Sequence, residues 1–243
     1  MHATLTMAGA AGVVLLLLAL PGNAQSTRHV DTAHHFEAQV PAGWYPIQQS
    51  LVDAADQELE RRLSKKKFRY LSGYSTSEAG EMTYPYVLFQ ITEGPMNRAS
   101  EEELVQSFSA ESFTTDVEDR MEVLSDFMTD ASLERAQWDA PRRRILMPVS
   151  AEIAGVGPVR GIGVAQVGSH GLVQINCYAR ASEFGAMMPV FQQWIDGVRI
   201  DDGYHWKPGS ESAVDWGQVG LMALIGGLIG GLVPLIFRRL RRA

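Results

Sequence analysis

The sequence predicts an α+β protein: an antiparallel sheet with helices packed on it (a sandwich), followed by one C-terminal transmembrane helix. Three observations carry this prediction. Between Leu133 and Arg180 the apolar residues recur at every second position over four consecutive segments. Glycine-bearing turns separate the later ones, as in an antiparallel meander. Residues 50–63 and 182–198 instead repeat their apolar residues at three- and four-residue spacing, as a helix with one buried face does. Finally, residues 216–237 (WGQVGLMALIGGLIGGLVPLIF) contain no Asp, Glu, Lys or Arg. As a helix rising about 1.5 Å per residue, 217–237 would be roughly 31 Å long, close to the ~30 Å hydrocarbon core of a bilayer.

The two ends set the expected organisation. Residues 1–24 carry the apolar run VVLLLLAL and then Pro-Gly-Asn-Ala, which reads as a signal peptide with cleavage before Gln25. An uncleaved anchor is the alternative. Residues 25–200 then form an exported domain and 201–215 a polar juxtamembrane linker. Residues 216–237 form the span and 238–243 a basic cytoplasmic tail. Trp216 suits an outer-interface aromatic, and Arg238, Arg239, Arg241 and Arg242 fit the positive-inside rule. The expected location is a plasma (inner) membrane of prokaryotic type, crossed once.

Within the exported part, residues 25–35 are polar and read as frayed. Residues 36–40 read as a short strand closed by Pro41-Ala42-Gly43-Trp44, with Trp44 dropping into the core. Helix 50–63 has Ser50 and Asp53 as a capping-box-like start, with Leu51, Ala55, Leu59 and Leu63 on one face. Lys65, Lys66 and Lys67 follow its end, where cations suit the helix dipole. Residues 68–75 alternate as a strand. Residues 84–92 (YPYVLFQIT) are the strongest strand, apolar on both faces and so central, with Pro85 in its first turn. Ser100 with Glu103 opens a helix, and Val117, Met121, Leu124 and Met128 share a further helical face. Strands are then expected at 133–139, 143–153, 159–167 and 172–180. The closing helix 182–198 turns Phe184, Met188, Phe191, Ile195 and Val198 inward, and Pro189 either begins a second helical segment or kinks the first.

The opening Phe36-x-x-x-Val-Pro-x-Gly-Trp44 resembles the start of Mog1/PsbP-like domains. So do residues 84–92 leading into a helix, the antiparallel run, and the Phe-x-x-Trp-Ile of Phe191 to Ile195. The resemblance spans roughly residues 36–200. It implies a binding or assembly module, and it supplies no catalytic residue.

Composition and motifs agree with a binding role. The chain has 21 Lys and Arg against 28 Asp and Glu. Without the four tail arginines, 17 basic residues face 28 acidic ones, a net charge of −11, which argues against nucleic acid as a partner. Cys177 is the only cysteine, so no internal disulfide forms, and its place in an alternating strand makes it a small buried hydrophobe. No phosphate-binding glycine loop, nucleophile elbow or zinc-protease motif is present. His34 and His35, read on an extended segment, would point opposite ways and hold no metal. His170 reads as a solvated turn residue and His205, between Tyr204 and Trp206, as an interfacial one. The run Arg142-Arg143-Arg144 reads as a solvated strand edge. The expectation is therefore no catalysis, no cofactor and no metal.

The sharpest interaction motif lies in the span. Ala223, Gly226, Gly227, Gly230 and Gly231 form overlapping small-xxx-small repeats, which let helices approach closely in lipid. The functional expectation is a membrane-anchored exported module that binds a protein partner or small ligand, with the span packing on itself or on a partner. An envelope hydrolase using converging carboxylates, and a receptor signalling through a separate partner, are the alternatives.

Overall fold

In the computed structural model, residues 27–62, 68–93, 128–134, 136–169 and 171–207 are described. Their elements in chain order are β1 (Thr27–Asp31), β2 (Phe36–Val40), β3 (Tyr45–Pro46), α1 (Gln49–Arg62), β4 (Phe68–Ser75), β5 (Tyr86–Glu93) and β6 (Met128–Leu133). Then come β7 (Gln137–Asp139), β8 (Arg144–Ile153), β9 (Gly157–Gly168), β10 (Gly171–Arg180), α2 (Ala181–Gly197) and β11 (Arg199–Ile200). The class is α+β. Among the described residues, eight strands make one sheet in the order β3-β4-β5-β10-β9-β8-β6, with β7 also paired to β8. A second sheet has the order β1-β2-β11. Every pairing between strands is antiparallel.

β5 is central because seven of its eight residues are buried, so neither face can meet water. It pairs with β4 on one side and β10 on the other. Alternation sends Val87, Phe89 and Ile91 of β5 and Val173, Ile175 and Cys177 of β10 into one core. There they meet Phe191, Trp194 and Ile195 of α2, and Phe36, Ala38 and Val40 of the small sheet. Trp194 is the hub: its ring lies edge-on to Trp44 at 5.6 Å and to Phe89 at 5.9 Å. Burying such an aromatic contributes roughly 2–3 kcal/mol from area alone, and an edge-to-face pair about 0.5–1.5 kcal/mol more. α1 packs along β4 and buries Val52, Ala55 and Leu59 outside that cluster.

Of the residues between these core positions on β5 and β10, Gln90, Gln174 and Asn176 are polar and equally buried. Gln90 Nε2 donates to Gln174 Oε1 (3.4 Å), Gln174 Nε2 to Asn176 Oδ1 (2.6 Å), and Asn176 Nδ2 to Gln90 Oε1 (3.3 Å). The three amides close a ring in which each gives and receives, so none is left bare; a buried orphan would cost about 1–3 kcal/mol. Gly163 of β9 stands opposite Asn176 and makes the space. A Cβ there would lie 2.9 Å from Asn176 Oδ1 and 3.0 Å from Gln174 Nε2.

Several expectations are corrected. Residues 27–31 are not frayed but pair along their whole length with β2. Helix α1 begins at Gln49, so Ser50 lies inside it; Gln49 Nε2 instead donates to Asp53 Oδ1 at 2.9 Å. Met128 opens β6 rather than closing a helix, and the strand expected at 133–139 is two, β6 and β7. α2 continues through Pro189. The arginine run is not a solvated edge throughout. Arg144 is buried, its Nε donating to Asp139 of β7 (2.9 Å) and its Nη1 to Asp196 of α2 (2.8 Å). The polar tether expected from Asp201 starts as packed chain: Trp206 is buried, and its carbonyl accepts from Arg143 Nη1 at 3.1 Å. Among the described residues no helix is long and apolar enough to cross a membrane. The 216–237 run lies outside them, as do the signal stretch, the lysine run 65–67, the helices expected between Ser100 and Leu124, and His170.

Candidate functional site: a histidine-lined cleft

Four separate pieces of chain meet at one end of the main sheet: the turn between β1 and β2, the end of β5, the turn between β9 and β10, and the return after β11. They enclose a cavity of about 470 Å³, within the ~300–1,000 Å³ usual for small-ligand sites. Ile91, Val173 and Ile200 make its floor, and His34, Glu93 and Tyr204 stand at its walls.

Asp31 builds the turn. Its Oδ1 accepts from the backbone N–H groups of Ala33 and His34, each at 3.0 Å. Its Oδ2 takes the His34 Nδ1–H at 2.9 Å. A short carboxylate that satisfies two amides ahead of it is an Asx-type turn. Burial works to raise the Asp31 carboxyl, but these bonds and the His34 ring outweigh it and hold the carboxyl below its ordinary value. With its proton on Nδ1, the His34 ring turns Nε2 outward as an acceptor. Arg69 Nη2 of β4 donates to that nitrogen at 3.2 Å, and Glu93 Oε1 lies 3.7 Å from it. The result is a polar row, Asp31, His34, Arg69 and Glu93, in which one carboxylate stands at each end, the His34 ring and the Arg69 guanidinium between them.

The opposite wall is aromatic. His35 takes a left-handed backbone (φ 57°), a conformation His adopts more readily than most residues. Its ring stacks on Tyr204 with centroids 3.4 Å apart at 14°. Asp201 N–H donates to the His35 carbonyl at 2.9 Å, and Ser169 N–H to the Tyr204 carbonyl at 2.8 Å, so the return after β11 is strapped to both turns. Gly171 admits the end of β5, since a Cβ there would run into the Thr92 carbonyl oxygen. A second depression, of about 480 Å³, lies between the end of β2 and α2. Its Gln39, Gln192, Gln193 and Asp196 are all exposed and form no comparable row.

The structure thus brings His34 and His35 to the same cleft, contrary to the extended reading in which they diverge; the Asp31 turn and the left-handed His35 cause this. Arg69, Glu93 and Tyr204 were not legible as site residues, because they meet only through the tertiary fold. Among the described residues no group of three or more His, Cys, Asp or Glu is placed to hold a metal. Cys177 is in the core with its thiol pushed up by burial, so it is no nucleophile. Ala223, Gly226, Gly227, Gly230 and Gly231, with Trp216, Arg238, Arg239, Arg241 and Arg242, lie outside the described residues.

No protein-family model matches the chain. No curated protein matches its sequence. Among solved structures the chain is similar to cyanobacterial PsbP (CyanoP) from Synechocystis sp. PCC 6803, with a TM-score of 0.47 and 12% identity over 79% of this chain and 98% of that one. It is also similar to the Ran-binding protein Mog1p of Saccharomyces cerevisiae, with a TM-score of 0.40 and 12% identity over 74% and 97%. At these values each is a likeness and no functional conclusion follows from it.

Proposed function

We propose that this chain is a non-catalytic binding module, exported and held to the membrane by residues 216–237, that takes a protein partner or small ligand in the histidine-lined cleft. The observation that carries this reading is the cleft itself: an apolar floor, an aromatic wall and a few convergent charged groups, drawn from four segments of chain. Few polar groups on an apolar concave surface are what fix the orientation of a bound group. The span adds a second contact, through Gly226, Gly227, Gly230 and Gly231, either with itself or with a partner helix.

The test is cross-linking of the full-length protein in its native membranes, followed by mass identification of what is attached. A recurrent second protein is expected, and its adduct should fall in the variant Glu93→Lys with Tyr204→Ala. Self-adducts should weaken in Gly226→Ile with Gly230→Ile. An adduct unchanged by the first variant removes the cleft from the reading; cross-linking unchanged by the second removes the span.

A further inference from the structure

His29 lies on the inner face of β1, opposite Ala38 of β2. Its ring is parallel to Phe89 at 5.0 Å, tilted against Phe36 at 5.6 Å, and edge-on to Tyr74 at 5.8 Å. Nδ1 is 2.9 Å from the Tyr74 hydroxyl. Nε2 is buried and has no hydrogen-bond partner among the described residues. Little else draws β1 inward. Thr27, Arg28 and Val30 are exposed, and among the described strands its outer edge is unpaired. Yet β1 leads directly into the turn that carries His34 and His35, one wall of the cleft.

The neutral imidazole fits this place and the imidazolium does not. One ring nitrogen is served by Tyr74, whose hydroxyl can donate or accept, and the ring faces lie on hydrocarbon. A second proton makes both nitrogens donors, leaves Nε2–H without an acceptor, and puts a charge among buried aromatics. The facing groups offer little compensation. β4 presents Tyr74, β5 presents Phe89, and β2 presents Phe36 and Ala38. Arg28 and Glu37 pair with each other on the outer face of the hairpin. Asp31, on the same strand, favours the charge, but its oxygens are taken by His34 and the turn amides. Burial accordingly lowers the His29 pKa, and Asp31 opposes this only in part.

We propose that His29 is a pH-operated latch: neutral, it holds β1 against the core, and protonated in mild acid it releases β1 from β2 and frees the turn that carries the His34–His35 wall. The sign follows from linkage. With the folded value below the unfolded one, the state with β1 released binds the extra proton. Closure is therefore fully present above the free-histidine value of about 6.5 and is lost as pH falls below it. The consequence for function, release of the bound partner in acid, rests on the reading of the cleft as the binding site; the latch does not.

Hydrogen–deuterium exchange of the full-length protein in detergent micelles tests this at pH 7.5, 6.5 and 5.5, after correction for the intrinsic chemical rate. Exchange of amides 27–35 should rise by up to about tenfold between pH 7.5 and 5.5, the limit for one linked proton. Amides of β9 and β10 should not follow. The His29→Phe variant keeps the ring contacts and should abolish the rise. Flat exchange in the wild type, or the same rise in His29→Phe, overturns the latch. Should that variant not fold, titration of the His29 Cε1 proton by NMR decides, and a midpoint at or above about 6.5 overturns it. Acid release of β1 with cleft adducts that ignore pH would leave the latch standing and count against the cleft as the binding site.

Discussion

Replacing Arg144 with Met should loosen the joint between α2 and the sheet edge, and the cost can be worked from the geometry. The Arg144 side chain is 8% exposed, that of Asp139 16% and that of Asp196 44%. Breaking a fully buried ion pair costs about 3–5 kcal/mol, and an exposed pair is worth about 0–1 kcal/mol. The Asp139 contact lies toward the first limit and the Asp196 contact toward the second. Met keeps the buried stem and removes only the guanidinium, so the loss expected is about 2–4 kcal/mol. For a domain of this size that is a fall in Tm of roughly 5–15 °C. Urea unfolding of the full-length protein, followed by tryptophan fluorescence, measures it. Asp196→Asn alone should cost about 1 kcal/mol or less, and the double variant should cost less than the sum of the singles. The pH profile gives an independent check. For both carboxyls burial works upward, while the bonds and charge of Arg144, with Arg142 and, at Asp196, Gln192, outweigh it and hold them below their ordinary value. Their contribution is therefore present above about pH 4 and lost as pH falls through the depressed values. Arg144→Met should flatten that acid limb. A loss under about 0.5 kcal/mol with strictly additive singles would refute the reasoning, because the network would then be only surface charge.

Two further outcomes follow from the core. Gly163→Ala should destabilise by about 1–3 kcal/mol in the same unfolding assay, since its methyl displaces the Asn176 and Gln174 amides; a neutral result would mean the ring is not tightly held. Cys177 should be inert to a thiol reagent in the native protein and react fully on denaturation, because its thiol is buried and pushed up; modification at the native rate of an exposed thiol would contradict its placement.

What was legible in the sequence was whatever burial writes as a period. β4, β5, β8, β9 and β10 fall within about two residues of the expected strands, because their apolar residues alternate or run unbroken. α2 was legible from Phe191 and Ile195, and Trp44 from the turn before it. β1 was not, because an edge strand with a polar outer face carries no apolar alternation; its one inward anchor is a histidine. The break between β6 and β7 was hidden because no glycine or proline punctuates residues 133–139. Arg144 was misread because an arginine beside two others looks solvated until a strand and a helix supply Asp139 and Asp196. The cleft was the least legible. Asp31 and His34 are three residues apart and could have suggested a turn, but Arg69, Glu93 and Tyr204 come from distant sequence and declare no chemistry of their own.

The closed ring of Gln90, Gln174 and Asn176 bears on how the strands find one alignment. An apolar strand face repeats every two residues, so it rejects a slip by one position but is nearly blind to a slip by two. β9 is not blind to it. Gly163 receives Asn176 and Gly161 receives the ring of Tyr178, which a Cβ would meet at 2.6 Å. Sliding β10 two places one way sets Asn176 against the methyl of Ala165; sliding it the other way sets Tyr178 against Val159. Either slide also parts Gln174 from Gln90, its partner across β5. Two glycines and three amides thus act as a keyed lock between strands whose greasy side alone would accept more than one setting.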